Sequence, residues 1–246
     1  MPDPLHSPSA ASSRAGFAGR KLACLRGERL VFRGLDFTLQ AGGALILVGP
    51  NGSGKSSLLR VMAGLTPPAA GALSWDGADV RIDREAHRAR LHFIGHADAL
   101  KPVLSAEEML RFWAGMRATD APDIGAALAR FGLGAAAHWP CRYLSAGQRR
   151  RLTLARLVAS PAPLWLLDEP LTGLDSEAIA QLLAAIAAHR RSGGCVVLST
   201  HAPLDLADVT LLSLTDFRPT RADFEESAAC RLFHGWSRAI CAWRCG

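Results

Sequence analysis

One stretch constrains this chain more than any other: Gly49-Pro50-Asn51-Gly52-Ser53-Gly54-Lys55-Ser56, followed by Ser57. It matches the phosphate-binding pattern GxxxxGK[ST] in the context that pattern requires. The apolar run Ala44–Val48 precedes it, and helical periodicity over residues 55–63 follows, stopped by Gly64 and Pro67-Pro68. Glycines let consecutive backbone amides curl around phosphate oxygens, where a Cβ would obstruct them. Lys55 is expected to reach β- and γ-phosphates and the Ser56 hydroxyl to ligate Mg²⁺, while the helix starting there adds its positive dipole end.

The rest of the chain fits an α/β core. Residues 21–37 read as strands broken at Arg26-Gly27 and at Gly34, residues 164–167 and 195–199 as buried strands, and 177–190 as the helix between them. Such alternation argues for a parallel sheet. Residues 97–145 read as mostly helical, an inserted subdomain, with a capping box at Ser105-Ala-Glu-Glu108. At 246 residues and 49% hydrophobic, with 20% charged, the chain has ample material for a buried core, which excludes global disorder. No apolar run approaches the roughly 20 residues of a bilayer crossing. Residues 1–19 are expected to form a flexible leader without the apolar centre of a signal peptide. A reducing compartment is therefore expected, with the six cysteines as thiols. The net charge of +6 comes from 25 Arg and three Lys spread along the chain. No basic stripe interleaved with aromatics accompanies it, so no nucleic-acid partner is expected.

Two further segments carry chemistry. Leu164-Trp165-Leu166-Leu167-Asp168-Glu169 is an apolar strand ending in two carboxylates, which are costly to desolvate unless a cation or donor compensates. Mg²⁺ held by Ser56 would supply that cation to Asp168, and Glu169, pointing the other way, could serve as general base toward an attacking water. Tyr143-Leu-Ser145-Ala-Gly147-Gln148 precedes an Arg- and Leu-rich helix, with Ser145 a good N-cap and a second anion site.

In this order the motifs resemble the nucleotide-binding subunits of ABC transporters, over about residues 21–214. The resemblance implies a P-loop NTPase of ABC type: a parallel or mixed sheet core, an antiparallel β part and an inserted helical subdomain. It implies ATP and Mg²⁺ as cofactors, an ATPase domain over residues 20–214, and a homodimer. Ser145, Gly147 and Gln148 would then be the signature that contacts the γ-phosphate held by the second subunit. Asp175, in Leu171-Thr-Gly-Leu-Asp175, would lie at the dimer seam, and His201 would sense the γ-phosphate. Arg26 falls where the family places an adenine-stacking aromatic; a guanidinium plane also stacks on bases. His96 stands where the family has a glutamine contacting Mg²⁺ and water.

The segment from Phe93 through Phe112, with its Gly95-His96 pair, is similar more narrowly to the ATPase subunits of cytochrome c maturation, a group described as haem exporters. That resemblance implies a peripheral position on the cytoplasmic face of a bacterial inner membrane, beside integral subunits resembling CcmB and CcmC. No direct haem binding is expected: His87, His92, His96, His138 and His189 lack any C-x-x-C-H context. Two other readings stay open, a transporter ATPase for another cargo such as lipid or peptide, and a soluble ABC ATPase acting on nucleic acid. Residues 215–246 depart from the pattern. Within them, 230–246 carry three cysteines and two tryptophans at a spacing that matches no zinc motif.

Overall fold

The computed structural model describes residues 16–117, 122–201, 204 and 206–219. In chain order it contains β1 (Phe17–Arg26), β2 (Arg29–Leu39), β3 (Ala44–Val48), α1 (Lys55–Met62), β4 (Ala70–Trp75), β5 (Ala78–Asp79), α2 (Arg84–Ala89) and β6 (Leu91–Ile94). Then come α3 (Ala106–Gly115), α4 (Ile124–Arg130), α5 (Ala146–Ala159), β7 (Leu164–Asp168), α6 (Ser176–Arg191), β8 (Cys195–Ser199) and β9 (Val209–Ser213). Among the described residues these strands form two sheets. One is antiparallel with order β2-β1-β4-β5; the other has order β6-β7-β8-β3-β9 and is parallel throughout.

Every residue of β7 and β8 is buried, because the parallel sheet is covered on both faces. Side chains alternate between two cores. Leu45, Leu47, Leu166 and Val197 pack with Leu58, Met62, Phe17 and Phe32, joining α1 to the antiparallel sheet. Ile46, Trp165, Leu167 and Leu198 pack with Leu152, Leu182, Met109 and Phe131, which ties α5, α6 and the helical subdomain to the opposite face. The strands therefore read as unbroken apolar runs, since neither face meets water.

The predicted helical stretch over 97–145 contains α3 and α4, with 3-10 turns at Gly134–Ala136 and Cys141–Tyr143; residues 118–121 lie outside those described. The capping box expected at α3 is present: the Ser105 hydroxyl accepts from the Glu108 amide, and Glu108 accepts from the Ser105 amide at 2.8 Å. At the N-terminus, β1 begins inside the stretch read as leader. Phe17 is fully buried, with ring centroids 5.4 Å from Phe37 and 5.7 Å from Trp75, so long-range packing recruits a segment whose local pattern is weak. Residues 1–15 and 220–246, including the Cys/Trp-rich tail, lie outside the described residues. No described helix is long and apolar enough to cross a membrane.

The carboxyl ends of β3, β6, β7 and β8 lead directly into Gly49, Gly95-His96, Glu169 and Thr200-His201. In open parallel sheets this edge is where ligands bind, because loops there are free of the ladder while the strands hold their bases rigidly.

Candidate nucleotide-binding site

The loop from Gly49 to Gly54 joins β3 to α1. Gly54 caps the helix at φ +107°, and a Cβ there would come within 2.6 Å of Val31 and 3.3 Å of Phe32. Gly49 lies at φ +139°, with a Cβ position 2.8 Å from the Ser53 hydroxyl. Both glycines are therefore required by backbone conformation and by close approach. The Lys55 side chain is 7% exposed and folds back over the loop. Its Nζ donates to the carbonyls of Gly49 at 2.7 Å and Pro50 at 3.3 Å. The buried Ser53 hydroxyl has no hydrogen-bond partner. A cavity of about 350 Å³ opens on this loop, lined by Arg26, Arg29, Asn51, Lys55, Glu169 and His201 among others.

On the sheet side, Asp168 ends β7 and is 7% exposed. Its Oδ1 accepts from the Ser56 hydroxyl at 3.1 Å and from the Ser199 hydroxyl at 2.8 Å. Ser199 is the register partner of Asp168 on β8, and its oxygen also accepts the Glu169 amide at 3.0 Å. Glu169 adopts φ +48°, the left-handed region that costs a non-glycine residue about 1–3 kcal/mol. The turn aims its carboxylate at His201, with Oε1 3.1 Å from Nε2. That same nitrogen lies 3.3 Å from Lys55 Nζ. One ring nitrogen either donates to the carboxylate or accepts from the ammonium, so His201 has two mutually exclusive partners across the cavity.

His96 lines a second cavity of about 660 Å³ together with Arg26, Ser56, Ser57 and Asp168, directly adjoining the first. Arg26 and Ser56 border both cavities. Ser145, Gly147, Gln148 and Asp175 border neither. Ser145 caps α5 in a capping box with Gln148, at 3.1 Å from hydroxyl to amide and 2.8 Å for the return bond. Asp175 caps α6, accepting the Ala178 amide at 2.8 Å. One chain thus gathers Arg26, residues 49–57, His96, Asp168, Glu169 and His201, and leaves the Ser145 and Asp175 groups outside the gathering.

Three site residues escaped the sequence reading. Ser199 is a fully buried hydroxyl closing an apolar strand, a signal visible in the run Cys195-Val-Val-Leu-Ser199. Arg29 faces Arg26 across the β1–β2 turn and lines the nucleotide cavity. Arg150, in the run Arg149-Arg150-Arg151, is only 5% exposed, and nothing in that run distinguishes it from its neighbours.

A glycine loop against a buried lysine, with paired carboxylates on the next strand but one, defines a P-loop ATPase cassette, and the relatives agree. A family model for ABC transporters matches residues 32–172, and the chain belongs to that family. A putative ABC transporter ATP-binding protein from Pyrococcus furiosus shares the fold at a TM-score of 0.73 and 22% identity, covering 82% of this chain and 99% of that one. A dimeric ATP-binding cassette in a post-hydrolysis state, bound to ADP and phosphate, aligns at a TM-score of 0.67 and 23% identity over 76% of this chain and 88% of its own.

Among curated proteins, the cytochrome c biogenesis ATP-binding export protein CcmA of Paramagnetospirillum magneticum is 56% identical over 209 residues, 83% of this chain and 96% of that protein. CcmA of Rhodospirillum rubrum is 54% identical over 203 residues, 82% of this chain and 87% of that protein. Within the ABC family, the chain belongs with these CcmA proteins.

Proposed function

We propose that this chain is the ATP-hydrolysing subunit of an ABC export complex serving cytochrome c biogenesis. The observation that carries this reading is the single cavity in which Lys55 and the Glu169–His201 pair face the phosphate loop. The curated relatives' names supply the export and cytochrome c context.

Triphosphate seats on the amides of residues 49–56, and Lys55 exchanges its two loop carbonyls for phosphate oxygens. Arg26, with a guanidinium free of hydrogen bonds and ion pairs among the described residues, stacks on the base. Ser56 and Asp168 offer hydroxyl and carboxylate oxygens 3.1 Å apart, a hard donor pair suited to Mg²⁺. When bound there, Mg²⁺ neutralises charge developing on the phosphates. Glu169 takes the proton of a water whose oxygen attacks the γ-phosphorus in line, and the bond to the β-phosphate oxygen breaks to leave ADP. His201 orients Glu169 and reports the γ-phosphate by choosing between its two partners. His96 borders both the Ser56–Asp168 pair and the helical subdomain, a position suited to passing occupancy outward.

Because Ser145, Gly147, Gln148 and Asp175 lie away from the chain's own cavity, a second copy supplies them. The dimer docks peripherally on the cytoplasmic face of the inner membrane, against integral subunits resembling CcmB and CcmC.

Glu169→Gln is expected to keep ATP binding, stop turnover and trap a dimer, whereas Lys55→Ala weakens binding itself. Turnover by Glu169→Gln at the native rate would remove Glu169 from its role. In cells, staining membranes for covalent haem tests the pathway. Loss on gene deletion, restored by the native chain and not by Glu169→Gln, supports cytochrome c biogenesis; persistence points to another cargo.

A further inference from the structure

Arg150 lies on α5, five residues beyond Ser145, and its guanidinium reaches two separate segments at the sheet edge, the turn after β7 and the loop after β6. Nη2 donates to the carbonyl of Glu169 at 2.8 Å and to that of Asp168 at 3.2 Å. Nη1 donates to the carbonyl of Gly95 at 3.0 Å and lies 3.6 Å from the Asp98 carboxylate. Burial lowers its pKa, opposed by the charges of Asp98 and Asp168, so the group remains a cation in a place where cations are expensive. An apolar side chain here would leave the carbonyls of Gly95, Asp168 and Glu169 without this donor. The strained Glu169 peptide explains it: Ser199 holds its amide, and Arg150 holds its carbonyl.

We infer that Arg150 is a positioning residue that sets the direction of the Glu169 carboxylate and links it to the signature at the start of the same helix. The inference rests on the reading of Glu169 as general base and of Ser145 as contacting nucleotide in the second copy. An α-helix is stiff over two turns, so displacement of Ser145 moves Arg150 with it. Closure on the partner's nucleotide thereby aligns this chain's own base, and the Gly95 hydrogen bond and Asp98 ion pair bring the His96 loop along. The two sites of the dimer are coupled through one side chain in each copy.

The test uses the full chain assembled with its membrane subunits, comparing native protein with Arg150→Gln, Arg150→Lys and Glu169→Gln. The amide of Arg150→Gln cannot span both segments. The ammonium of Arg150→Lys keeps the charge but lacks the planar fork. Assayed well below their thermal midpoints, which fall because buried carbonyls lose their donor, both are expected to lower kcat at least tenfold, with KM and the affinity for a fluorescent ATP analogue within twofold of native. Native kcat in both, while Glu169→Gln is inactive, would overturn the inference and leave the base assignment standing. If Glu169→Gln itself turns over normally, the underlying reading fails. Should Arg150→Gln not fold, Arg150→Lys decides. A fall in ATP affinity in step with kcat would make Arg150 a structural residue only and also overturn the inference.

Discussion

Ser199 illustrates how much of the site rests on groups that never touch nucleotide. Its hydroxyl donates to Asp168 and accepts from the Glu169 amide, so it fixes both carboxylates at once. Ser199→Ala leaves a buried acceptor and a buried amide each short of a partner, at a cost of about 1–3 kcal/mol. The expected result is a lower urea midpoint together with a fall in kcat of about tenfold, since the Glu169 turn relaxes while Lys55 and the loop remain. An unchanged kcat in a destabilised variant would show that Arg150 alone suffices to hold the turn. Lys55, Ser56, Asp168 and Glu169 were legible from local pattern because their chemistry dictates their neighbours. Ser199 and Arg150 were not, because their partners lie 30 and 19 residues away from them along the chain at Glu169.

At the scale of elements, β6 and α5 are bound by polar contacts that the apolar pattern conceals. Arg156 donates to the Phe93 carbonyl and lies over the Trp113 ring at 5.2 Å, and His92 Nε2 sits 2.8 Å from the Ser160 carbonyl. Burial drives the His92 pKa down to about 3, with the nearby cations Arg117 and Arg156 adding to the effect. The folded chain therefore keeps His92 neutral where the unfolded chain protonates near 6.5. Stability from this group is complete above that value and drains away as pH falls toward 3, at about 1.4 kcal/mol per pH unit. Denaturant unfolding should be level in this contribution above about pH 7 and approach this slope between about pH 5.5 and 4, and His92→Gln should flatten it. His87 and His189, also lowered by burial, contribute in the same direction. A flat profile in the native protein would mean that His92 is solvated. The sequence leaves β6 unread for a related reason: Leu91–Ile94 is four residues long and carries a histidine that only its tertiary partner makes tolerable.

At the scale of the whole molecule, the proposed dimer has each copy carry half of two sites. Lys55→Ala disables the loop of its own copy, and Ser145→Ala disables the signature it offers to the other. Mixing these two inactive variants should restore one intact site in every heterodimer, built from the Ser145→Ala copy's loop and the Lys55→Ala copy's signature. With random pairing, about a quarter of native turnover is expected. No recovery in cross-linked heterodimers would mean that hydrolysis needs both sites intact or that the signature acts within its own chain, and the single-site Kd values separate those cases.

Some of this protein was determined by short-range rules. The phosphate loop, the capping boxes at Ser105 and Ser145, and the buried strands Leu164–Asp168 and Cys195–Ser199 depend on φ preferences, amide satisfaction and apolar runs. Those rules act within a few residues and survive without knowledge of the fold. Tertiary structure alone decided that the parallel sheet runs β6-β7-β8-β3-β9, that Phe17 enters a core its neighbours do not announce, and that one of three consecutive arginines turns inward to hold the Glu169 turn. Strand order and side-chain burial are settled by which surfaces meet, and that is a property of the packed chain rather than of any segment within it.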